Sequence, residues 1–294
     1  MRSFLVTTVA ALALAATASA QPYRFGCHYF RNASYHPHRP QLIGVREGIL
    51  DVIARSDTFD ILHYDIALDI TDVGGHTIKA ATGVTYTALV ADAPLRLDLI
   101  DALTVDSVTS SGGPLPFTHA DSLLTIVLGP TAIGDTGTIT VHYHGIPGYD
   151  TDWGGFRYQN GYIYNLGIGL STIPPNFGKV WYPCFDSFVE RATYAYHVKS
   201  AGTYRAHCQG QFLGETQLGG DTVVRSFALD HAIPTHISAI AAANYADSNW
   251  THTGAYGDIP VRLTAKPAAL AGMVSKFASL GDAIDCYEFW YGPY

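Results

Sequence analysis

The stretch Gly178–Val198 reads GKVWYPCFDSFVERATYAYHV, and it decides the fold of the chain around it. Pro183 has no backbone N–H to donate, so it is tolerated only at a strand edge, a strand start or a turn. In the second half of the stretch, larger or apolar side chains recur at every second position, at Ala192, Tyr194, Tyr196 and Val198. A period of two is that of a strand with two unlike faces. The stretch therefore predicts a loop and a turn that lead into a strand.

Short strand patterns precede and follow this stretch, and Gly- and Pro-containing turn signals separate them. Many short strands without intervening helices predict a mainly β fold, built as an antiparallel β-sandwich or as saddle-like curved sheets. The predicted strands are Ile61–Ile70, Ala80–Val90, Leu95–Leu99, Leu123–Leu128, Thr136–His144, Gly161–Leu166, Thr203–Cys208, Thr222–Asp230, Ile237–Ala243 and Ile259–Ala265.

Helical patterns occur only at the two ends of this strand region. Apolar spacing over Ile43–Ala54 predicts a short amphipathic helix. The apolar residues of Ala268–Trp290 also have helical spacing, with few helix breakers among them. A new structural regime is therefore expected to start near Lys266.

The N-terminus has the features of a secretory signal peptide. Arg2 precedes the apolar run Phe4–Ala18, and the small residues Ala18-Ser19-Ala20 form a cleavage site. The run is shorter than the ~20 apolar residues that span a bilayer, although an uncleaved membrane anchor is the alternative. We expect residues 1–20 to be removed, leaving a secreted, periplasmic or cell-surface protein without a membrane span.

The charge pattern excludes one class of partner. The net charge is −8, 14% of the residues are charged, and no dense Lys or Arg cluster occurs. Proteins that bind nucleic acids use such clusters to contact phosphates. No nucleic-acid partner is therefore expected.

Four cysteines remain after the signal peptide: Cys27, Cys184, Cys208 and Cys286. None of them belongs to a C-x-x-C pair, and export permits disulfides. Cys184 and Cys208 both lie near the ends of strands that are neighbours in sequence, which makes them a candidate disulfide pair. The alternative is that all four are ordinary buried thiols.

The segment around the turn resembles a family motif. Zinc aminopeptidases related to aminopeptidase N and puromycin-sensitive aminopeptidase carry W/F-F-P-C-F-D-E-P-x-x-K-A-T-F in their N-terminal β domain. Here the sequence keeps the central Pro-Cys-Phe-Asp, whereas Ser187 and Phe188 replace Glu-Pro and Arg191 replaces Lys. The residues assigned to this structural motif are Trp181, Pro183, Cys184, Phe185, Asp186 and Arg191.

Five further segments match the family in the same order along the chain: Tyr64–Leu68 (YDIAL), Ala206–Leu213 (AHCQGQFL), Ile233–Ser238 (IPTHIS), Pro260–Leu263 (PVRL) and Tyr287–Tyr294 (YEFWYGPY). The resemblance implies four parts in the chain. They are the signal peptide at 1–20, an N-terminal arm and short helix at 21–56, the family's N-terminal β domain at 57–247, and a linker strand with the start of a catalytic domain at 248–294.

The catalytic motif of the family is not present in this sequence. Zinc peptidases hold the metal with H-E-x-x-H and a later Glu, but none of the 13 His here is followed by Glu. We therefore assign no catalytic residue, no metal ligand and no cofactor to this chain, and expect zinc in a full-length parent. The expected function is the N-terminal portion of a secreted zinc metallopeptidase, cut off before its catalytic domain, which would be its partner and would bind the peptide substrates. The alternative is a stand-alone secreted β module that binds peptides or surfaces without catalysis.

The family also implies a substrate-binding loop. A T-Q-x-E-P sequence lies about ten residues before its Pro-Cys, and its Gln and Glu approach the free N-terminus of the substrate. In this chain the two positions fall on Thr172 and Pro174, within Ser171–Gly178. Because a carboxylate there would pair with the terminal ammonium, its loss means either a slip of the alignment in this loop or altered recognition of the N-terminus.

Two further polar features have plain structural interpretations. Asp186 is either a titrating group or an acceptor for backbone N–H groups in the turn after Pro183, and the second is favoured. His142 and His144 lie on one face of a predicted strand, where they are either a metal-ligand pair or ordinary sheet histidines, and the second is favoured.

Overall fold

The structure, a computed structural model, describes Arg55, residues 57–172 and residues 174–293. The predicted signal peptide, the N-terminal arm and the helix predicted over 43–54 lie outside the described residues. Seventeen strands account for most of the described chain, which confirms a mainly β fold. They are β1 Phe59–Asp69, β2 Ile78–Ala88, β3 Leu95–Asp98, β4 Leu103–Ser110, β5 Gly113–Pro114, β6 Phe117–Ala120, β7 Leu123–Ile126, β8 Thr136–Gly145, β9 Gly155–Gln159, β10 Tyr162–Leu166, β11 Arg191–Ser200, β12 Arg205–Cys208, β13 Gln211–Gly219, β14 Thr222–Pro234, β15 Ile240–Ala243, β16 Ala246–Thr253 and β17 Asp258–Ala265.

An eight-stranded sheet forms the main layer, with the strand order β13-β14-β11-β1-β2-β8-β4-β5. All its pairs are antiparallel except β1 with β11, which are parallel at the centre of the sheet. The predicted antiparallel architecture is confirmed, and the one parallel pair is a feature that the sequence did not predict. The reason is that alternation of buried and exposed residues shows which face of a strand is covered but not the direction of its neighbour.

Three smaller sheets complete the fold. They contain β12-β15-β10-β9, β3-β7-β6 and the β16-β17 hairpin. The core lies against the buried face of the large sheet, where the predicted alternation of β11 holds: Tyr194 and Tyr196 are fully buried and His197 is half-buried. The Tyr194 ring stacks on Tyr64 and on Tyr196, with centroids 5.4 and 5.7 Å apart, so the core is largely aromatic at this point.

Several strands were not predicted from the sequence. β13 is mostly exposed on both faces, and β16 (ADSNWTHT) is polar along most of its length, so neither has an apolar period to detect. β4 carries a bulge between Val105 and Ser107, which shifts the period of two in mid-strand.

The C-terminal region forms two helices where the sequence predicted one. They are α1 Pro267–Lys276 and α2 Leu280–Tyr291. Pro267 occupies the first turn of α1, a position where its missing N–H costs nothing. α2 is tied to the β16–β17 hairpin by polar contacts, because Glu288 Oε2 accepts from Ala255 N at 2.7 Å and His252 Nε2 lies 2.7 Å from Asp285 Oδ1. Over the residues that the structure describes, neither helix is long and apolar enough to cross a bilayer.

Candidate functional site

The family-like turn Trp181–Asp186 is completely enclosed by the sheets. The Tyr143 hydroxyl donates to the carbonyl of Trp181 at 2.8 Å, and the backbone N–H of Phe185 donates to the Tyr64 hydroxyl at 3.2 Å. These two tyrosines belong to β8 and β1, so the turn is bonded to the centre of the large sheet. Its residues hold the fold together and are not available to a substrate.

The same turn is bonded to the three-stranded sheet. Cys184 and Asp98 exchange both backbone hydrogen bonds, at 2.7 and 3.1 Å. The Asp98 carboxylate also accepts from Arg55 Nη2 at 2.9 Å and from the backbone N–H of Asp186 at 3.0 Å. The turn therefore joins the end of β3 to the large sheet.

Asp186 is the buried carboxylate at the centre of this arrangement. It accepts from the backbone N–H groups of Gly178 and Lys179 at 3.1 and 3.3 Å and from the Thr235 hydroxyl at 3.2 Å. Burial raises the pKa of Asp186, although the Lys179 ammonium, 3.6 Å away, acts in the opposite direction. The predicted bonding to backbone N–H groups is present, but the donors precede the turn.

Three of the motif-matching segments therefore meet at one place. YDIAL supplies Tyr64, the Pro-Cys-Phe-Asp turn supplies Asp186, and IPTHIS supplies Thr235, whose backbone carbonyl also accepts from the Tyr182 hydroxyl at 3.0 Å. We call this cluster the buried polar node. Its members are distant in sequence, so their contact could not be seen in any one segment.

The candidate disulfide is not formed. Cys184 and Cys208 are both free thiols, on the buried turn and on β12, and Cys286 is an exposed free thiol on α2. Burial raises the pKa of the thiols of Cys184 and Cys208. Neither is therefore an activated nucleophile, because a reactive cysteine needs a lowered pKa.

The positions that correspond to the family's substrate loop are held by a carboxylate that the sequence analysis did not single out. Asp150 is 2% exposed and accepts from Ser171 N at 3.0 Å, from Ser171 Oγ at 2.7 Å and from Thr172 Oγ1 at 2.9 Å. It also accepts from the backbone N–H groups of Asp152 and Trp153, at 2.9 and 3.1 Å. These bonds, the Ser171 hydroxyl foremost, hold the pKa of Asp150 well below its usual range.

The segment 167–177 is further fixed by its backbone. Gly169 N donates to the Pro175 carbonyl at 2.8 Å, and Phe177 N donates to the Gly167 carbonyl at 2.9 Å. A side chain on Gly167 would lie 1.6 Å from the backbone oxygen of His236, so only glycine allows this approach. Gly167, at the start of this segment, therefore packs directly on the 3-10 turn Thr235–Ile237.

Large apolar side chains project from these neighbouring loops into solvent. Each is between 41% and 71% exposed, and Phe188 makes an edge contact with the His236 ring at 4.6 Å. We call this set the loop surface: Tyr149, Trp153, Ile168, Leu170, Phe188 and Ile237. Groups of exposed apolar residues on neighbouring loops are typical of interaction sites.

No protein-family model and no curated protein matches the sequence. Solved structures do match. An M1 zinc metallopeptidase from Deinococcus radiodurans is similar with a TM-score of 0.70 and 19% identity, over 81% of this chain and 54% of that chain. A mutant from the same organism bound to a Tyr-Ser-Ala substrate gives the same values. A mutant two-domain M1 zinc metallopeptidase bound to L-tryptophan matches with a TM-score of 0.70 and 20% identity, over 81% and 55% of the two chains.

The chain has the fold of an M1 zinc metallopeptidase. It spans about half the length of the metallopeptidases that it matches. The family resemblance inferred from six short segments is thereby confirmed at the level of the fold.

Zinc, which the M1 fold implies, finds no ligand set in the part of the chain that the structure describes. No three His, Cys, Asp or Glu side chains approach closely enough there to hold a metal ion. His144 Nδ1 lies 2.9 Å from the Asp106 carboxylate, as expected for an ordinary sheet histidine. These residues do not fit the metal, and we assign them no step that uses it.

Proposed function

We propose that this chain is the N-terminal portion of a secreted zinc metallopeptidase of the aminopeptidase N type, which supports a catalytic domain and does not itself hydrolyse peptides. The observation that carries the proposal is the M1 fold over about half of an M1 protein. The loop surface supplies the apolar contact area that such a domain would cover. The peptide substrates and the zinc would belong to that domain.

The fixed loop around Thr172 suggests how substrate recognition differs from the family. An ammonium group needs an accessible carboxylate, but the Asp150 carboxylate is buried and already accepts five hydrogen bonds. Thr172 directs its hydroxyl to Asp150, and Pro174 has no polar side chain. We therefore expect this loop to contribute shape and not charge to the recognition of a free N-terminus.

Two measurements on the purified chain test its lack of catalysis. Metal analysis should find no stoichiometric zinc, and aminoacyl anilides should release no amine. One zinc per chain together with turnover would contradict the proposal.

Sequencing of the transcript beyond codon 294 tests the proposed parent protein. A downstream H-E-x-x-H followed by a later Glu supports a peptidase. A stop codon at that point would instead favour a stand-alone module that binds peptides or surfaces.

Export is tested independently of catalysis. We expect the mature protein to begin at Gln21, because signal peptidase cleaves after small residues such as Ala18-Ser19-Ala20. N-terminal sequencing of the protein recovered outside the cytoplasm checks this. Recovery of an intact Met1 in a membrane fraction would support an uncleaved anchor.

A further inference from the structure

The fold also has a concave pocket, whose lining residues are not part of the loop surface. Its volume is 830 Å³, and its walls come from β12, from β13 and β14, and from the β16–β17 hairpin. We call it the hairpin pocket. Sites for small molecules have volumes of about 300–1,000 Å³ and combine apolar walls with a few polar groups. The lining residues used below are His207, Phe212, Phe227, Pro260 and Arg262.

Cationic groups concentrate around one wall of the pocket. The guanidinium groups of Arg225 and Arg262 lie 4.5 and 5.9 Å from the centroid of the Phe212 ring. Two arginines share the Glu215 carboxylate, because its Oε2 lies 3.5 Å from the Nε of Arg205 and 3.5 Å from the Nε of Arg225. Glu215 and Asp247, whose charge also acts on Arg225 and His207, balance Arg205 and Arg225, so Arg262 supplies the net positive charge of this wall.

Arg262 is the cation that remains open to a ligand. Its side chain is exposed, and its Nε donates to Asn249 Oδ1 at 3.2 Å. Among the residues that the structure describes, its two terminal nitrogens have no hydrogen-bond or ion-pair partner. A guanidinium group offers paired N–H donors whose spacing matches the two oxygens of a carboxylate.

His207 is a neutral ring on the pocket wall, in contact with Arg225. Its Nε2 is 3.0 Å from Arg225 Nη1, and since arginine can only donate, Nε2 is the acceptor and Nδ1 carries the proton. Burial, followed by the nearby Arg225 charge, lowers the pKa of His207 to about 4, so the ring is neutral at pH 7. His207 therefore adds no charge to the pocket.

We propose that the hairpin pocket binds a small organic carboxylate with an aromatic body. The carboxylate pairs with Arg262, while the ring packs against Phe212 and Pro260, whose side chains lie on the Arg262 side of the hairpin. Neutral and cationic ligands have no anionic group to pair with the Arg262 guanidinium, so we expect them to bind more weakly. The proposal does not depend on the proposed function, because none of these residues belongs to the loop surface.

The experiment is an NMR titration of the full chain, labelled with ¹⁵N-phenylalanine, with 3-phenylpropionate, observing the backbone N–H of Phe212. Its signal is assigned with Phe212→Leu. We expect a saturable shift with a dissociation constant of about 1 mM or lower. The neutral analogue 3-phenylpropionamide should bind at least about ten-fold more weakly, because it removes a charge-assisted bidentate contact.

Arg262→Gln should weaken binding of the acid about ten-fold without affecting folding, because Arg262 is exposed. Arg96→Gln is the matched control, since it removes an arginine from β3, which does not line the pocket, and it should bind like the wild type. The tripeptide Ala-Ala-Phe identifies the source of the carboxylate: tighter binding than 3-phenylpropionate points to peptide C-termini, and weaker binding to free acids. Equal binding of the amide, no shift at about 10 mM acid, or unchanged affinity of Arg262→Gln overturns the proposal.

Discussion

Asp186→Ala should destabilise the protein strongly, although Asp186 touches no solvent and no substrate. The substitution removes the acceptor for the N–H groups of Gly178 and Lys179 and for the Thr235 hydroxyl. A buried donor without an acceptor costs about 1–3 kcal/mol. The Gly178 N–H is enclosed and loses its acceptor, whereas the Thr235 hydroxyl can still donate to the Phe185 carbonyl at 3.3 Å. Lys179 is only half-buried and can reach water.

One enclosed donor without an acceptor gives a loss of about 1–3 kcal/mol. Part of this is offset, because burial raises the pKa of Asp186 and removal of its charge relieves that unfavourable burial. We expect a net loss of about 2 kcal/mol in the free energy of unfolding, a substantial share of the 5–15 kcal/mol typical of folded proteins. Asp186→Asn keeps one acceptor oxygen and the volume, so its loss should be smaller, about 1 kcal/mol.

Urea unfolding followed by tryptophan fluorescence measures these changes, since Trp181, one of the four tryptophans, is fully buried beside the node. Asp221→Ala is the control, because Asp221 is exposed in the turn between β13 and β14. It should stay within about 0.5 kcal/mol of the wild type. If Asp186→Ala changed the free energy of unfolding by less than about 1 kcal/mol, a size typical of surface substitutions, the buried polar node would not join the sheets as described.

Three other perturbations test the remaining regions. Asp150→Asn places an amide among five donors, so chymotrypsin should cut after the exposed Leu170 faster than in the wild type, and Asp221→Asn should not change the rate. The pKa of His207 is lowered from 6.5 to about 4 in the folded state, so its stabilisation is present above pH 6.5 and is lost as the pH falls towards 4. The urea midpoint should therefore drop less between pH 7.5 and 4.5 in His207→Gln than in the wild type, and an equal drop would contradict this. Glu288→Gln weakens the bond to Ala255 N, so the Ala255 amide should exchange its hydrogen several-fold faster by NMR, and an unchanged rate would show that α2 is held otherwise.

The sequence predicts strands well wherever one face is buried. Tyr194 and Tyr196 show this, because their burial requires the period of two that the sequence contains. β16 shows the opposite, because it is held by backbone hydrogen bonds to its partner β17. Backbone hydrogen bonds do not require particular side chains, so the sequence contains no pattern from which this strand could be predicted. The parallel pairing of β1 with β11 is likewise invisible, because both directions bury the same face.

The candidate site is less predictable, because its contacts join distant segments. Thr172 and Pro174 were located by family spacing alone, but the residue that fixes their loop is Asp150, 21 positions before Ser171. The run Asp150-Thr-Asp152-Trp153 could have pointed to Asp150 as a loop-fixing residue. An Asp in a turn often accepts from the backbone N–H groups two and three residues later, as Asp150 does here. Nothing in the sequence pattern indicates that Leu170 and Phe188 are exposed. An apolar residue in a loop looks the same in the sequence whether another surface covers it or solvent does.

The parallel pair at the centre of the large sheet also bears on how the chain acquires its structure during synthesis. β1 ends at Asp69, yet its neighbour β11 begins only at Arg191. Until the ribosome has released that later segment, one long edge of the nascent β1–β2 hairpin has no native partner and can pair with other strands. A dependence on chaperones during this interval, and slow refolding in vitro, follow from the topology alone.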